Sequence, residues 1–332
     1  MGNLTEWSNV EQAAGAPLLH FADPQAEFEA VRSGAVVTPA MQYRFLWIHG
    51  DDAVAFLQGQ LTCDVERVGT AQAQWGGYCT PKGRLIANFL LLAVPQGFLV
   101  WLPADVAASF AERLRKFILR SKVRIELESG WRSIGVAGPQ ACAVLERKFP
   151  AVPSTSLAVV RHANVQVVRL RGNASLVLAP AEEIGAAWTA LAELATPAGD
   201  ACWNWEQIHS GTPWVTAATQ DQFLPQMIGL DEIDGVAFDK GCYAGQEIVA
   251  RARYLGDVKR RLRHGFAAGS VRAGEALSSS AGPGGGVVLN AVGLPDGRSE
   301  FLAVVMDEAA DKPLRSPGGL AVTLSPPSTI AG

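Results

Sequence analysis

The longest apolar stretch of the chain, Leu85–Leu102, limits what the chain can fold into, because Pro95-Gln96-Gly97 interrupts it. A helix that crosses a membrane needs about 20 consecutive apolar residues, so this stretch is too short and too interrupted to be one. Two apolar runs on either side of a Pro-Gln-Gly turn predict a buried β-hairpin instead. With 48% hydrophobic and 18% charged residues, the chain is apolar enough to bury sizeable cores.

Strand-like and helix-like segments alternate from Ala22 to about Ala198, which predicts an α+β fold for this part of the chain. Val159–Leu170 is predicted as a strand. The clearest amphipathic helix is predicted over Ala104–Ser121, with these apolar residues on one face: Val106, Phe110, Leu114, Phe117 and Ile118. Beyond residue 265, short β-type runs are separated by Gly, Pro, Asp and Ser, so a small barrel or sandwich is predicted. The length of 332 residues suggests two or three domains.

Composition narrows the possible compartments and partners. The net charge is −4, so any anion binding must come from a local basic patch. The five cysteines are an odd number and include no C-x-x-C, which argues against a disulfide framework and a tetrathiolate metal site. The five histidines show no metal-ligand spacing, so no metal site is expected. The first residues lack the pattern of a secretory signal, and the expected location is the cytoplasm, away from membranes.

The densest set of reactive and charged groups lies in Lys240–Arg263, which reads KGCYAGQEIVARARYLGDVKRRLR. Cys242 stands between Gly241 and Gly245, two residues after Lys240. A thiol reacts or binds metal as the thiolate, which nearby cations and a positive helix end favour. The pattern is therefore open to two interpretations: a functional thiol, or a buried thiol in a tight turn.

The residues that follow Cys242 are polar and basic. Gln246 and Glu247 could hydrogen-bond a heterocycle or cap the start of a helix. The basic residues could grip a glutamylated cofactor tail, a phosphate or an RNA backbone, or form a solvated face. They are Arg251, Arg253, Lys259, Arg260, Arg261 and Arg263.

Three stretches of the sequence resemble one family in order and spacing. Residues 240–247, KGCYAGQE, match the K-G-C-Y-x-G-Q-E signature of the YgfZ family. Phe56–Val65 resembles its F-L-Q-G-Q-x-T-x-D-V segment, and residues 223–226 resemble its F-x-P-Q segment. This family comprises folate-binding relatives of the glycine-cleavage aminomethyltransferase, implicated in iron–sulfur protein maturation and in tRNA modification. The similarity spans roughly residues 35–325.

The resemblance implies an α+β, three-domain cloverleaf of the aminomethyltransferase type, with a tetrahydrofolate pocket at its centre. Residues 22–130 would form the first part of the folate-binding α+β domain, residues 131–264 a second α+β domain with the signature, and residues 265–328 a C-terminal β-barrel. Cys242 would be the working thiol, assisted by Lys240. The residues implied as folate ligands are Tyr243, Gly245, Gln246, Glu247 and Arg251.

Two departures from the aminomethyltransferase pattern argue against aminomethyl transfer, and a third departure, from the YgfZ pattern, concerns the polar lining of the pocket. The acidic pair that aminomethyltransferases carry just after a glycine pair, in a strand corresponding to Gly83–Asn88, is missing, since Ile86, Ala87 and Asn88 are all uncharged. The pterin-binding turn expected near Leu170–Leu178 reads RGNAS and contains no glutamate. Gly229 stands where YgfZ relatives often have asparagine.

The resemblance therefore favours a tetrahydrofolate-binding accessory factor in iron–sulfur cluster assembly or repair, which affects tRNA modification indirectly. Its expected partners are folate and iron–sulfur proteins or assembly factors. One alternative is a folate-dependent one-carbon transferase in which Asp64 or Glu247 replaces the missing carboxylates. Another is a tRNA-binding module that uses the basic residues from Arg251 to Arg263.

Overall fold

The computed structural model describes residues 7, 10, 18–128, 130–254, 256, 258–279 and 282–325. These residues form a five-stranded sheet, a six-stranded sheet and a closed six-stranded barrel. The α+β fold with a C-terminal barrel is thereby confirmed. Among the described residues, no helix has the length and apolar character needed to cross a membrane.

The five-stranded sheet has the strand order β3-β4-β5-β2-β6. Its strands are β2 (Tyr43–His49), β3 (Gln74–Cys79), β4 (Leu85–Val94), β5 (Gly97–Pro103) and β6 (Arg124–Glu128). Strands β4 and β5 pair antiparallel, with Val94 opposite Gly97, which confirms the predicted buried hairpin. Helices α2 (Ala53–Gln58) and α3 (Ala104–Arg115) contribute buried side chains to the core on one side of this sheet.

Helix α3 is shorter than predicted. Val106, Phe110 and Leu114 are buried as the periodicity indicates. The helix ends at Arg115, however, and the predicted end at Ser121 is wrong because the chain turns through Leu119, whose φ is 45°. Phe117 is consequently 48% exposed rather than part of the apolar face.

The six-stranded sheet has the order β11-β1-β7-β10-β9-β8. Its strands are β1 (Val36–Thr38), β7 (Trp131–Ala137), β8 (Val159–His162), β9 (Val165–Arg169), β10 (Ala174–Pro180) and β11 (Thr196–Pro197). The single strand predicted over residues 159–170 is wrong: it is a hairpin, which turns at Ala163 with a φ of 55°. Within residues 18–325 as described, the helices that accompany this sheet are α1 (Pro24–Ser33), α4 (Ala141–Lys148), α5 (Ala181–Ala192) and α6 (Asp200–His209).

Alternate residues of β10 face different cores, as expected for a strand buried on both sides. Val177 and Ala179 pack in the cluster that includes the apolar residues of α4 and α5. Leu176 and Leu178 pack in the cluster that includes Trp203 of α6. The second cluster faces the centre of the molecule.

The barrel closes in the order β12-β15-β14-β13-β16-β17. Its strands are β12 (Arg260–Ala267), β13 (Ala276–Ser279), β14 (Gly282–Gly293), β15 (Ser299–Met306), β16 (Leu314–Arg315) and β17 (Ala321–Ser325). Strand β12 follows helix α7 (Gln246–Tyr254) after a short connection. The second half of the basic segment is therefore a barrel strand.

The largest buried cluster takes side chains from all three sheets. At its centre the rings of Tyr43 and Trp101 stack with centroids 3.9 Å apart. Trp214, from the segment after α6, meets them edge-on, with centroid distances of 5.0 Å to Tyr43 and 5.3 Å to Trp101. Aromatic side chains therefore pack together in the cluster that joins the three sheets.

Candidate functional site

Lys240 joins the signature to the Phe56–Val65 stretch. Its Nζ donates hydrogen bonds of 2.7 Å to the carbonyl oxygens of both Leu61 and Cys63. Its Nζ also lies 5.4 Å from the centroid of the Tyr243 ring. Burial lowers the pKa of Lys240 below its ordinary value. The structure thus brings two of the recognised motifs together, and Lys240 acts there as a tether.

Gly245 fixes the other end of the signature loop. Its φ is +81°, a left-handed conformation that glycine adopts without strain. A Cβ atom at this position would lie 2.4 Å from the carbonyl oxygen of Thr80. Gly241, in contrast, has open space around the corresponding position. The chain therefore needs a glycine at 245 to press the loop against the turn between β3 and β4.

Cys242 lies between these two anchors and is exposed to solvent. Cys63, Cys79 and Cys202 are buried, and burial raises the pKa of each to about 12. Cys142 is partly exposed. Its partial burial and, to a lesser degree, the neighbouring Glu146 carboxylate raise the pKa of its thiol. Of the five cysteines, Cys242 is the most exposed to solvent.

The polar residues after Cys242 have internal partners. Gln246 Oε1 accepts a hydrogen bond of 3.2 Å from the backbone N–H of Tyr243, the backward contact that a Gln makes in a capping box at the start of a helix. Glu247 pairs with Arg251 at 3.3 Å along the exposed side of α7. The Tyr243 ring is buried, and its hydroxyl finds no hydrogen-bond partner among the described residues. Direct folate contact by these residues and Gly245 stays a prediction.

The basic segment does not form one continuous patch. It is divided between α7 and β12, and several of its arginines pair with acidic residues. Arg253 lies 3.6 Å from Asp231 and 5.0 Å from the centroid of the Phe238 ring. Arg261 and Arg263 lie 3.5 and 3.6 Å from Asp307. These contacts reduce the charge available to a polyanion.

A cavity of about 440 Å³ opens where the five-stranded sheet, α6 and the barrel meet. Its walls carry two aromatic rings and several amides: Tyr43, Trp214, Asn204, Gln207 and Asn290. A second cavity of about 510 Å³ shares Met41, Tyr43, Arg44 and Ala104 with it. Neither cavity is lined by residues 240–251. Sequence reasoning missed this site because its lining comes from distant segments, although the amide-rich run on α6 was a signal.

Polar groups of the cavity wall are partly unsatisfied. Gln207 Oε1 accepts a hydrogen bond of 3.4 Å from Trp214 Nε1. Its Nε2 is buried and has no partner within the described part of the chain. A buried donor without an acceptor is costly, so a ligand acceptor at this point would be stabilising.

Gln42 also lines the cavity, and its amide group lies beside both Asn204 and Asp200. Burial raises the pKa of Asp200 to about 7. Asp200 is not a lining residue itself, but it places a titratable carboxyl group next to the Gln42 amide.

Asn88 shows why the expected carboxylate is absent from β4. Its side chain is fully buried, and Nδ2 donates a hydrogen bond of 2.8 Å to the carbonyl oxygen of Pro213. Oδ1 accepts one of 2.7 Å from the N–H of Val215. An ionised carboxylate could not donate to Pro213. Asn88 therefore holds the segment that carries Trp214 in the cavity wall.

The other two departures both lie in turns. In the RGNAS turn, the N–H of Asn173 donates a hydrogen bond of 2.8 Å to Glu206 Oε1, so α6 supplies a carboxylate that the turn lacks. Burial raises the pKa of Glu206 to about 7. Gly229 has a φ of +70°, a left-handed conformation in which asparagine is among the better tolerated residues.

Comparisons with known proteins agree with this architecture. The model of the GCVT N-terminal domain family matches residues 3–181. The chain is 33% identical over 282 residues to the tRNA-modifying protein YgfZ of Edwardsiella ictaluri, covering 81% of this chain and 84% of that protein. The chain belongs to the YgfZ family. A YgfZ protein of Colwellia psychrerythraea is 34% identical over 217 residues, or 65% of this chain and 66% of that protein.

A solved structure shares the fold of this YgfZ-family chain. Aminomethyltransferase T of the glycine cleavage system from Bartonella henselae superposes with a TM-score of 0.75 at 16% identity, covering 96% of this chain and 95% of that chain. This likeness establishes the fold. Activity must be argued from the residues of this chain.

Proposed function

We propose that this YgfZ-family chain binds tetrahydrofolate in the cavity between Tyr43 and Trp214 and acts as an accessory factor in iron–sulfur cluster assembly or repair. The observation that carries the folate proposal is the unpaired Gln207 Nε2 in an aromatic, amide-lined cavity of about 440 Å³. This volume lies within the range of about 300–1,000 Å³ typical of small-molecule sites. A pterin ring offers a flat face to the aromatic rings and acceptors to the amides.

Folate binding supplies a direct test. Gln207→Glu retains an acceptor for Trp214 Nε1 but removes the unpaired donor. A lost buried hydrogen bond costs about 1–3 kcal/mol, so the dissociation constant for 5-formyltetrahydrofolate should rise ~10-fold or more by isothermal titration calorimetry. The matched control is Gln222→Glu, whose side chain bonds the carbonyl of Ala218 outside the cavity. Unchanged affinity in Gln207→Glu would contradict this placement of folate.

Cys242 is proposed as the working thiol. It is exposed, whereas the buried thiols are held neutral by their surroundings. A thiolate can ligate iron or take part in thiol exchange. A single cysteine cannot hold a cluster alone, so the remaining ligands would come from a partner protein or a small thiol. Lys240 and Gly245 hold the loop that presents this thiol.

The test of the thiol is complementation in cells that lack the endogenous gene. Cys242→Ser should lower the activities of iron–sulfur enzymes while the purified protein keeps its thermal unfolding midpoint. Cys142→Ser is the control, because it removes another partly exposed thiol. Full complementation by Cys242→Ser would refute the proposed role.

The alternative functions receive less support from the contacts. Asp64 is engaged by Gln58 and Arg67, Glu247 lies on the exposed side of α7, and neither residue lines the cavity, so neither is placed to replace the missing acidic pair. Several arginines of the basic segment pair with acidic residues as described above. We therefore propose that any effect on tRNA modification is indirect and passes through enzymes that need iron–sulfur clusters.

A further inference from the structure

Two histidines and a glutamate converge where α6 packs against the barrel. His264 Nε2 on β12 lies 2.6 Å from Glu300 Oε1 on β15. His209 Nδ1, at the end of α6, lies 3.1 Å from the same oxygen. One ligand atom from each of the three residues lies within 4.8 Å of the others. None of these three residues lines either cavity or belongs to the Cys242 loop.

The groups around the cluster hold its side chains in fixed orientations. Trp205 Nε1 donates a hydrogen bond of 2.7 Å to Glu300 Oε2, which leaves Oε1 directed at the two rings. His264 Nδ1 lies 3.3 Å from Ser325 Oγ, so the nitrogen on the far side of that ring also has a partner. Metal-binding histidines and carboxylates are typically oriented in this way by their outer hydrogen bonds.

Two of the three side chains are buried and the third is partly exposed, which suits a cation that keeps one coordination position open to solvent. The side chains of Glu300 and His264 are 3% and 6% exposed. The side chain of His209 is 43% exposed, which leaves a path to solvent. Two imidazoles and one carboxylate make a ligand set that zinc accepts, with water in the remaining position.

We propose that His209, His264 and Glu300 form a binding site for a divalent cation of the zinc class, which clamps α6 to the barrel. Without a cation, each imidazole ring makes a hydrogen bond with Glu300 Oε1. Binding of the cation requires these two ring nitrogens to be unprotonated. For His264, the ring proton then resides on Nδ1, where Ser325 Oγ accepts it. The cation replaces two hydrogen bonds with three coordinate bonds between elements far apart in the sequence.

The experiment uses the full chain, stripped with chelator and dialysed against Zn²⁺. We expect one equivalent of zinc per chain by mass spectrometry and a rise in the thermal unfolding midpoint. Co²⁺ in place of Zn²⁺ should give the intense visible absorption of a four-coordinate site. His209→Gln removes the most exposed ligand and should weaken binding ~10-fold or more, since even changes in the outer hydrogen bonds of metal sites cost about 10–100-fold.

Two controls separate this site from other zinc ligands. His49→Gln removes a histidine that also pairs with a glutamate, Glu126, at 3.5 Å, and it should leave zinc binding unchanged. Cys242→Ser tests whether the exposed thiol is a zinc ligand, and this variant should also retain one equivalent of zinc per chain. The proposal is overturned if Cys242→Ser loses the zinc or if His209→Gln retains it. It is also overturned if the unaltered chain does not bind zinc stoichiometrically.

Discussion

Replacing Asn88 with aspartate would place a carboxyl group on β4, where aminomethyltransferases carry acidic residues. One oxygen of the new side chain could accept the hydrogen bond from Val215 N–H. The other would face the carbonyl oxygen of Pro213, which Asn88 Nδ2 contacts at 2.8 Å. Two acceptors cannot share a hydrogen bond without a proton, so the folded chain should hold this carboxyl group in its neutral form.

The size of the effect follows from the pH. An aspartate in the unfolded chain has a pKa of about 3.9, and each pH unit above it costs about 1.36 kcal/mol to keep the group protonated. The penalty is therefore roughly 1.5 kcal/mol at pH 5 and up to about 4 kcal/mol at pH 7. The sign is fixed by the raised folded-state pKa: the folded chain holds a proton that the unfolded chain has released, so stability falls as pH rises.

Urea denaturation of Asn88→Asp at pH 5 and pH 7, followed by far-ultraviolet circular dichroism, measures this penalty. The matched variant Asn88→Ala removes both hydrogen bonds without adding an acid and should be destabilised to a similar degree at both pH values. If Asn88→Asp is as stable as the unaltered chain at pH 7, or if its loss of stability does not depend on pH, the argument from Pro213 is wrong.

Three further variants test other contacts. Gly245→Ala should be destabilised by more than about 1 kcal/mol, because a left-handed φ and the carbonyl of Thr80 both oppose a Cβ, whereas Gly241→Ala should melt like the unaltered chain. Lys240→Met should lose about 1–3 kcal/mol in urea denaturation, because two carbonyl oxygens lose their donor. Burial raises the pKa of Asp200 to about 7, so the folded chain binds a proton more tightly than the unfolded chain and loses stability as pH rises from about 4 to 7. Asp200→Asn should abolish this part of the pH dependence, as measured by denaturation across that range.

The features that sequence reasoning predicted well are those determined locally or by a motif. The β4–β5 hairpin follows from two apolar runs and a turn, and the barrel follows from short β-type runs and from the resemblance. The end of α3 and the division of residues 159–170 into two strands were missed, because non-glycine residues adopt positive φ at Leu119 and Ala163. Such positions carry no strong signal in a single sequence.

The candidate sites were harder to predict because they depend on long-range packing. The cavity combines residues from β2, α6 and β14, and the amides on α6 become significant when Trp214 closes the wall above them. The expectation of no metal site relied on spacing along the sequence. His209, His264 and Glu300 have no such spacing, since the barrel folds back onto α6 to bring them together.

The central buried cluster that joins all three sheets determines which truncated and chimeric chains can fold. Leu302 of the barrel, Leu90 of the five-stranded sheet and Leu176 of the six-stranded sheet share this one cluster. A premature stop codon just before the barrel would leave apolar surface exposed on both remaining units. Alleles truncated in this way should therefore behave as null alleles. Domain-swapped chimeras with relatives should fold only when the inward-facing residues of all three units come from the same parent.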